Sequence, residues 1–395
     1  MKSMEQTLRG RAAVVGLGET TFYRHGKSPH SESQLTIQAI LAASKDAGIA
    51  PSDIDGFSSY ADDRNSGPRV AAALGCRELR YSNMVWGGGG GGVAAALQNA
   101  AAAVATGLAE CVVVYRGLAQ GQFGRFGRGR ETRQVQGEAA HTEPYGLLSA
   151  AHLFGMKVTR FMHDHGIKPS ALRAVSMASY HHAQTNPRAM MFGRPLTEAA
   201  YDDSRWIVEP FRLFDCCLES DGAAALIVVP AERAHDHPRR PCYVLGAASG
   251  ASFRAAARVH NTPDYGSANF RTVARRVFEM AHVGPEDVDV LQCYDHFTGG
   301  VLMAMVEHGF CAAKDVNAYF TLDNLSAPRG TLPLNTSGGN LAECYVHGLS
   351  LISEAVRQIR GDSPNPVPGA EVSMVIGGPM STLVSNCILG AESTL

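Results

Sequence analysis

Short apolar runs alternate with stretches of helical periodicity along the whole chain. RAAVVGLG (11–18) and CVVVYRG (111–117) are apolar almost without interruption, as strands covered on both faces are. Residues 33–47, between them, carry the 3.6-residue pattern of a helix. Strand–helix alternation of this kind predicts an α/β architecture with buried, largely parallel strands.

The pattern also echoes itself. AILAASKDAGIAPSDIDGF (39–57) is matched by ARRVFEMAHVGPEDVDVLQ (274–292), with Pro51 against Pro285, Asp53 against Asp287, Ile54 against Val288 and Asp55 against Asp289. In each copy a helix ends, a Pro-x-Asp turn follows and an apolar run begins. A looser echo relates the helix ending at Gly107 and CVVVYRG to the helix ending at Gly361 and VSMVIGG (372–378). The period far exceeds that of a solenoid, so the echoes point to one duplicated α/β unit. The expected halves are 1–240 and 241–395. Residues 118–205 form a less regular stretch rich in Gly, Arg and His, expected to be an inserted functional region or lid.

Composition narrows the class. The 395 residues are 45% hydrophobic and 18% charged, with a formal net charge of -2, which exerts no general pull toward nucleic acid or an anionic membrane. No apolar stretch is long enough to span a bilayer and the N-terminus lacks a signal-peptide pattern, so the reading is cytoplasmic. Nine cysteines without C-x-x-C spacing argue against a disulfide framework and a zinc site. His181–His182 and His235/His237 do not have metal-ligand spacing either, and no metal is expected.

Four stretches could carry chemistry. Gly16-x-Gly18 opens a dinucleotide fingerprint, but Thr21 stands at the third glycine position and the helix starts beyond Pro29, which rules that reading out. NMVWGGGGGGVAAAL (83–97) puts six glycines at the mouth of a helix. CYDHFTGG (293–300) places Tyr294, Asp295 and His296 where a strand gives way to a helix. NTSGGNLAECYVHG (335–348) repeats the glycine-to-helix pattern, with Tyr345 and His347 just inside. In addition RGLAQGQFGRFGRGRETR carries Arg116, Arg125, Arg128, Arg130 and Arg133 between Phe123 and Phe126, either as phosphate contacts or as a solvated loop.

These motifs, with SYHHAQTNPRAM (179–190), IVEPFRLFDCCLESDGAAALIV (207–228) and the terminal VIGGPMSTLVSNCILG, resemble the thiolase superfamily in its sterol carrier protein X and lipid-transfer-protein branch. The resemblance spans the chain. It implies a duplicated thiolase fold of five αβαβα layers, a homodimer and coenzyme A thioester substrates. The nucleophilic cysteine of thiolases is absent from the glycine run. Tyr294 replaces the histidine of their H-D-x-F motif, and Tyr345 that of their G-H-P motif. Claisen chemistry is thereby lost. The paired tyrosines resemble the thiolase-like aldolases that shorten steroid side chains. What that resemblance implies is retro-aldol cleavage of a 17-hydroxy-3-oxo-pregnene-20-carboxyl-CoA type substrate to a 17-keto steroid and propionyl-CoA. It further implies a small OB-fold, acyl-CoA-associated partner in an α2β2 complex.

Such a reaction needs a base, an electron sink and an acid. No lysine falls in the motifs, and a thioester is itself a sink, so no cofactor beyond the substrate's coenzyme A is expected. Tyr294 is read as the base and Tyr345 as the acid, with the reverse assignment open. His296 and His347 are candidates for the cation or relay that a phenol base requires, and Asp295 for an orienting group. Backbone at Gly87, Gly88, Gly89, Gly90, Gly339 and Gly378 is read as the oxyanion and substrate contact, the bare run also making room for a branched substrate. Arg125, Arg128 and Arg130 are the candidates for the coenzyme A phosphates. The competing reading is a non-catalytic acyl-CoA carrier or scaffold.

Overall fold

A computed structural model describes residues 7–123, 135–255 and 264–395. A ten-stranded sheet runs through it, nine strands in one path and the two-residue strand Tyr23–Arg24 beside Ser220–Asp221, and the two halves of the chain contribute contiguous blocks. In the first block β1 (Ala12–Glu19), β2 (Gly56–Tyr60), β3 (Tyr81–Val85), β4 (Val112–Leu118) and β5 (Ser220–Pro230) lie in the order β1–β5–β4–β2–β3. In the second, β6 (Cys242–Gly250), β7 (Val290–Cys293), β8 (Val372–Gly377) and β9 (Val384–Gly390) lie in the order β6–β9–β8–β7. Starting from β1 or from β6, the first two pairings are antiparallel and the third parallel in both blocks. The echo in the sequence is thus an echo in topology. The Pro-x-Asp turns are matching 3₁₀ turns, Pro51–Asp53 and Pro285–Asp287, each leading into a strand.

The expectation of largely parallel strands is overturned. The blocks join through an antiparallel seam, Ala13 against Tyr243 and Val14 against Cys242, and most pairings besides are antiparallel. Helices cover both faces, so antiparallel strands here read as unbroken apolar runs, a pattern that burial imposes whatever the strand direction.

Seven helices build the layers: α1 (Glu32–Ala47), α2 (Val93–Ala105), α3 (Ala150–His165), α4 (Pro169–Ala183), α5 (Arg271–Ala281), α6 (Thr298–Glu307) and α7 (Leu349–Arg360). α1 packs outside the first block and α5 outside the second, while α2 and α7 fill one shared core between the blocks. The arrangement is α–β–α–β–α. α2 is rich in alanine and buried nearly all round, as a central helix must be. α1 is delimited by a capping box between Ser31 and Gln34 and by Gly48 in the left-handed conformation. Gly16-x-Gly18 seats that helix: a Cβ at Gly18 would lie 2.0 Å from the Ala39 carbonyl oxygen. Within the stretch expected to be irregular, α3 and α4 are full helices, packed against α6.

Candidate active site

β7 ends at Cys293, and the Tyr294 amide donates to the Ile376 carbonyl of β8 at 2.8 Å. The sheet therefore fixes the backbone from which Tyr294 projects. Tyr345 comes from the turn before α7. Its backbone is held on both sides by Ser220, whose hydroxyl accepts from the Tyr345 amide at 2.8 Å and donates to its carbonyl at 3.0 Å. The two phenols meet: Tyr294 donates to the Tyr345 hydroxyl at 2.8 Å, with both rings buried.

A cavity of about 1410 Å³ opens on the Tyr345 side, large beside ordinary small-ligand pockets. Apolar groups such as Met190, Ile207 and Phe214 line it, as do His296, Cys217 and Tyr345. Around it stand Arg24, Lys27, Arg194 and Arg205, for which the described residues show no ion pair, and one acid, Glu219. α3 and the loops after α4 supply much of the wall, so the 118–205 stretch shapes the site.

His296 is 7% exposed, and among the described residues neither ring nitrogen has a hydrogen-bond partner. Burial pushes its pKa down to about 3, leaving a neutral imidazole at the cavity wall. His347 is held lower than an ordinary imidazole by burial first, then by Arg116 and Arg64. Neither histidine is the cation expected beside the phenols. Burial raises both phenols well above the ordinary tyrosine value. The hydrogen bond between them acts in opposite senses, favouring ionisation of Tyr345 and opposing that of Tyr294.

Asp295 faces away from the cavity. Its carboxylate accepts from the amides of Asn340 at 2.8 Å and Leu341 at 3.3 Å, and it caps the Gly339 turn. Burial raises it to about 6. Cys344 is fully buried, and burial keeps its thiol protonated. Cys216 and Cys217, both also raised by burial, are thiols that line the cavity.

At Gly90 bare backbone has a use that the sequence did not show. A Cβ at Gly90 would stand 2.0 Å from the Tyr294 ring carbon Cζ and 2.4 Å from its hydroxyl oxygen. The Tyr294 phenol therefore occupies the volume that a side chain at 90 would need, and the space freed by bare backbone is not open to substrate. Gly378 lies against Gly91, a Cβ there being 2.2 Å from the Gly91 nitrogen, and Gly339 lies against Asp295. Gly87, Gly88 and Gly89 all take the left-handed conformation, and space is open at Gly87 and Gly89. Arg125, Arg128 and Arg130 lie outside the described residues.

Sequence reasoning missed the four cavity cations, which come from three separate segments (Arg24 with Lys27, Arg194, and Arg205), and the backbone clamp at Ser220. Arg116, placed by its neighbours in a basic loop, is instead 3% exposed near the end of β4.

Residues 251–390 match the family model described as thiolase C-terminal domain-like. Over 98% of its length the chain is 39% identical to the steroid side-chain-cleaving aldolase of Thermomonospora curvata, covering 99% of that protein. It is 39% identical, over 97% of its length, to the whole of the 17-hydroxy-3-oxo-4-pregnene-20-carboxyl-CoA lyase of Mycobacterium tuberculosis. The solved Ltp2-ChsH2(DUF35) aldolase superposes with a TM-score of 0.91 at 37% identity, over 99% of this chain and 100% of that one.

Proposed function

The chain belongs to the family of steroid side-chain-cleaving aldolases on the thiolase fold, and from that premise we propose the reaction it catalyses. It is the retro-aldol cleavage of a 17-hydroxy-3-oxo-pregnene-20-carboxyl-CoA type thioester to a 17-keto steroid and propionyl-CoA. The observation that carries this reading is the hydrogen-bonded tyrosine pair at the wall of a large, partly apolar, cation-rimmed cavity.

Tyr345 is the base, the reverse of the first reading. It faces the cavity, and it accepts the hydrogen bond of Tyr294, which stabilises its anion. Its phenolate takes the proton of the β-hydroxyl. The carbon–carbon bond breaks, the hydroxyl carbon becomes the ketone, and the electron pair passes into the thioester as an enolate. The α-carbon then takes a proton from the Tyr345 hydroxyl, which restores the phenolate. His296, neutral and unpartnered among the described residues, is the donor to the thioester oxygen, a role worth about 2.7–4 kcal/mol per donor in comparable sites. The thioester serves as electron sink, so the proposal includes no cofactor and no cysteine nucleophile.

The four cations hold the phosphates of the coenzyme A. Arg194→Gln and Arg205→Gln are each expected to raise KM about fivefold with little change in kcat, as exposed charge contacts of up to ~1 kcal/mol imply. Added salt should shrink both effects. We further propose a homodimer bearing a DUF35-type OB-fold partner as an α2β2 complex, by analogy with the complex named above. A cytoplasmic setting suits nine cysteines that are all unpaired. Among the described residues, no helix is long and apolar enough to cross a membrane.

The test incubates the chain and such a partner with a 17-hydroxy steroid carboxyl-CoA and follows 17-ketone and propionyl-CoA. Release of both in equal amounts is expected. Tight binding without release would replace the reaction with the carrier reading.

A further inference from the structure

A phenol acts as a base near neutral pH where something stabilises its anion, and burial in this site works against that. Both imidazoles are neutral, so the charge has to come from elsewhere. Arg116 is the buried cation beside the pair. Its Nε donates to Nδ1 of His347 at 3.1 Å, and one terminal nitrogen donates to the Ala61 carbonyl at 3.0 Å. The other terminal nitrogen pairs with Asp63 at 3.1 Å. Asp63 is itself fixed by the Ser59 hydroxyl and the Asn65 amide, each at 2.8 Å.

His347 is locked in turn. Its carbonyl accepts from the Tyr60 hydroxyl at 2.9 Å, and its backbone sits at φ 52°, a conformation that non-glycine residues rarely hold. Its ring meets that of Tyr345 edge-on, with centroids 5.3 Å apart. A guanidinium cannot accept a hydrogen bond, so donation into Nδ1 leaves the imidazole proton on Nε2.

We propose, resting on the functional reading above, that Arg116 is the positioning residue of the tyrosine pair. It fixes His347 as the Nε2–H tautomer against the Tyr345 ring and supplies the positive charge that faces that phenol. The other titratable groups around Tyr345 among the described residues include the Tyr294 and Tyr60 hydroxyls, the Cys217 thiol, the Glu219 carboxylate and neutral His347. Among these Arg116 is the cation, and it favours the Tyr345 anion. Asp63, paired with the guanidinium, balances part of that charge and itself raises Tyr60 and Tyr115.

The experiment uses the full chain with its partner and histidine selectively labelled with ¹⁵N. Wild type, Arg116→Met and Arg116→Lys are compared by kcat and KM as functions of pH and by the His347 ring nitrogen resonances. In Arg116→Met, kcat at pH 7 should fall about tenfold or more with KM within about twofold. The rising limb of the kcat profile should move up by about one to three pH units. His347 should lose its single tautomer and titrate at a higher pH than in wild type. Arg116→Lys, keeping the charge, should return most of the limb.

A folded Arg116→Met with the wild-type limb and wild-type His347 resonances overturns the proposal. Should that variant not fold, Asp63→Asn carries the test in the opposite direction: unbalancing the guanidinium should move the limb down, and an unmoved limb overturns the proposal. Failure of the wild type to cleave any steroid thioester would remove the functional reading, while the His347 resonances would still decide the role of Arg116.

Discussion

Replacing Tyr345 by phenylalanine is expected to cut kcat by about 10²–10⁴-fold, the usual worth of a positioned base, with KM within about threefold. The ring stays and packs as before, so what is lost is the oxygen that takes the β-hydroxyl proton. Tyr294→Phe removes the donor to that oxygen. A hydrogen bond to a charged group is worth about 1.5–3 kcal/mol, so a loss of roughly ten- to a hundredfold is expected there. The double variant should be no worse than Tyr345→Phe alone, because the second hydroxyl acts through the first. In wild type kcat should rise with pH: burial lifts the Tyr345 phenol, so the phenolate fraction is still growing above neutrality. His296 is already neutral above its depressed pKa of about 3, so it adds no inflection between pH 5 and 8. Steady-state assays of ketone release check all of this. Tyr345→Phe within threefold of wild type would sink the assignment of the base.

The second large effect concerns Gly90. Substitution by alanine sets a methyl group 2.0 Å from the Tyr294 ring, and neither the β7–β8 pairing nor the helix start leaves room to retreat. Gly90→Ala should cost about 1–3 kcal/mol of stability, as overpacking does, and should displace the Tyr294 hydroxyl from Tyr345. Gly90→Cys should behave alike and gain no thiolase activity. Gly90→Ala combined with Tyr294→Ala should be more stable than the sum of the single effects predicts, because the methyl group then enters vacated space. Denaturant unfolding of the four proteins in the cycle measures the coupling, and additive effects would refute the shared volume.

How far the sequence could be read depended on whether a signal was local. The Pro-x-Asp turns, α1 and the strand-to-helix loop bearing Tyr294 each lie within a few consecutive residues, and all were legible; Tyr345, read just inside a helix, instead stands in the turn between Gly339–Ala342 and α7. Strand direction was not, since Val112–Leu118 and Ser220–Pro230 are both fully buried and such runs look alike parallel or antiparallel. Arg24 with Lys27, Arg194 and Arg205 lie far apart in the chain, and tertiary folding alone gathers these three segments at one cavity. Arg116 misled for the opposite reason: it adjoins a basic loop yet belongs to a buried strand. The glycines were legible as bare backbone, but the ring pressed against Gly90 arrives from the other half of the chain.

The shared volume of Gly90 and Tyr294 also constrains history. An ancestor with a thiol at position 90 could not have acquired tyrosine at 294 first, because the ring would have had no place to lie. On this backbone any side chain at 90 had to be lost before a phenol could enter the space. The intermediate would have carried neither nucleophile nor phenol at this spot. Once the ring had settled, the same clash barred the way back. A repurposed catalyst of this build is one that cannot drift home by single steps through position 90.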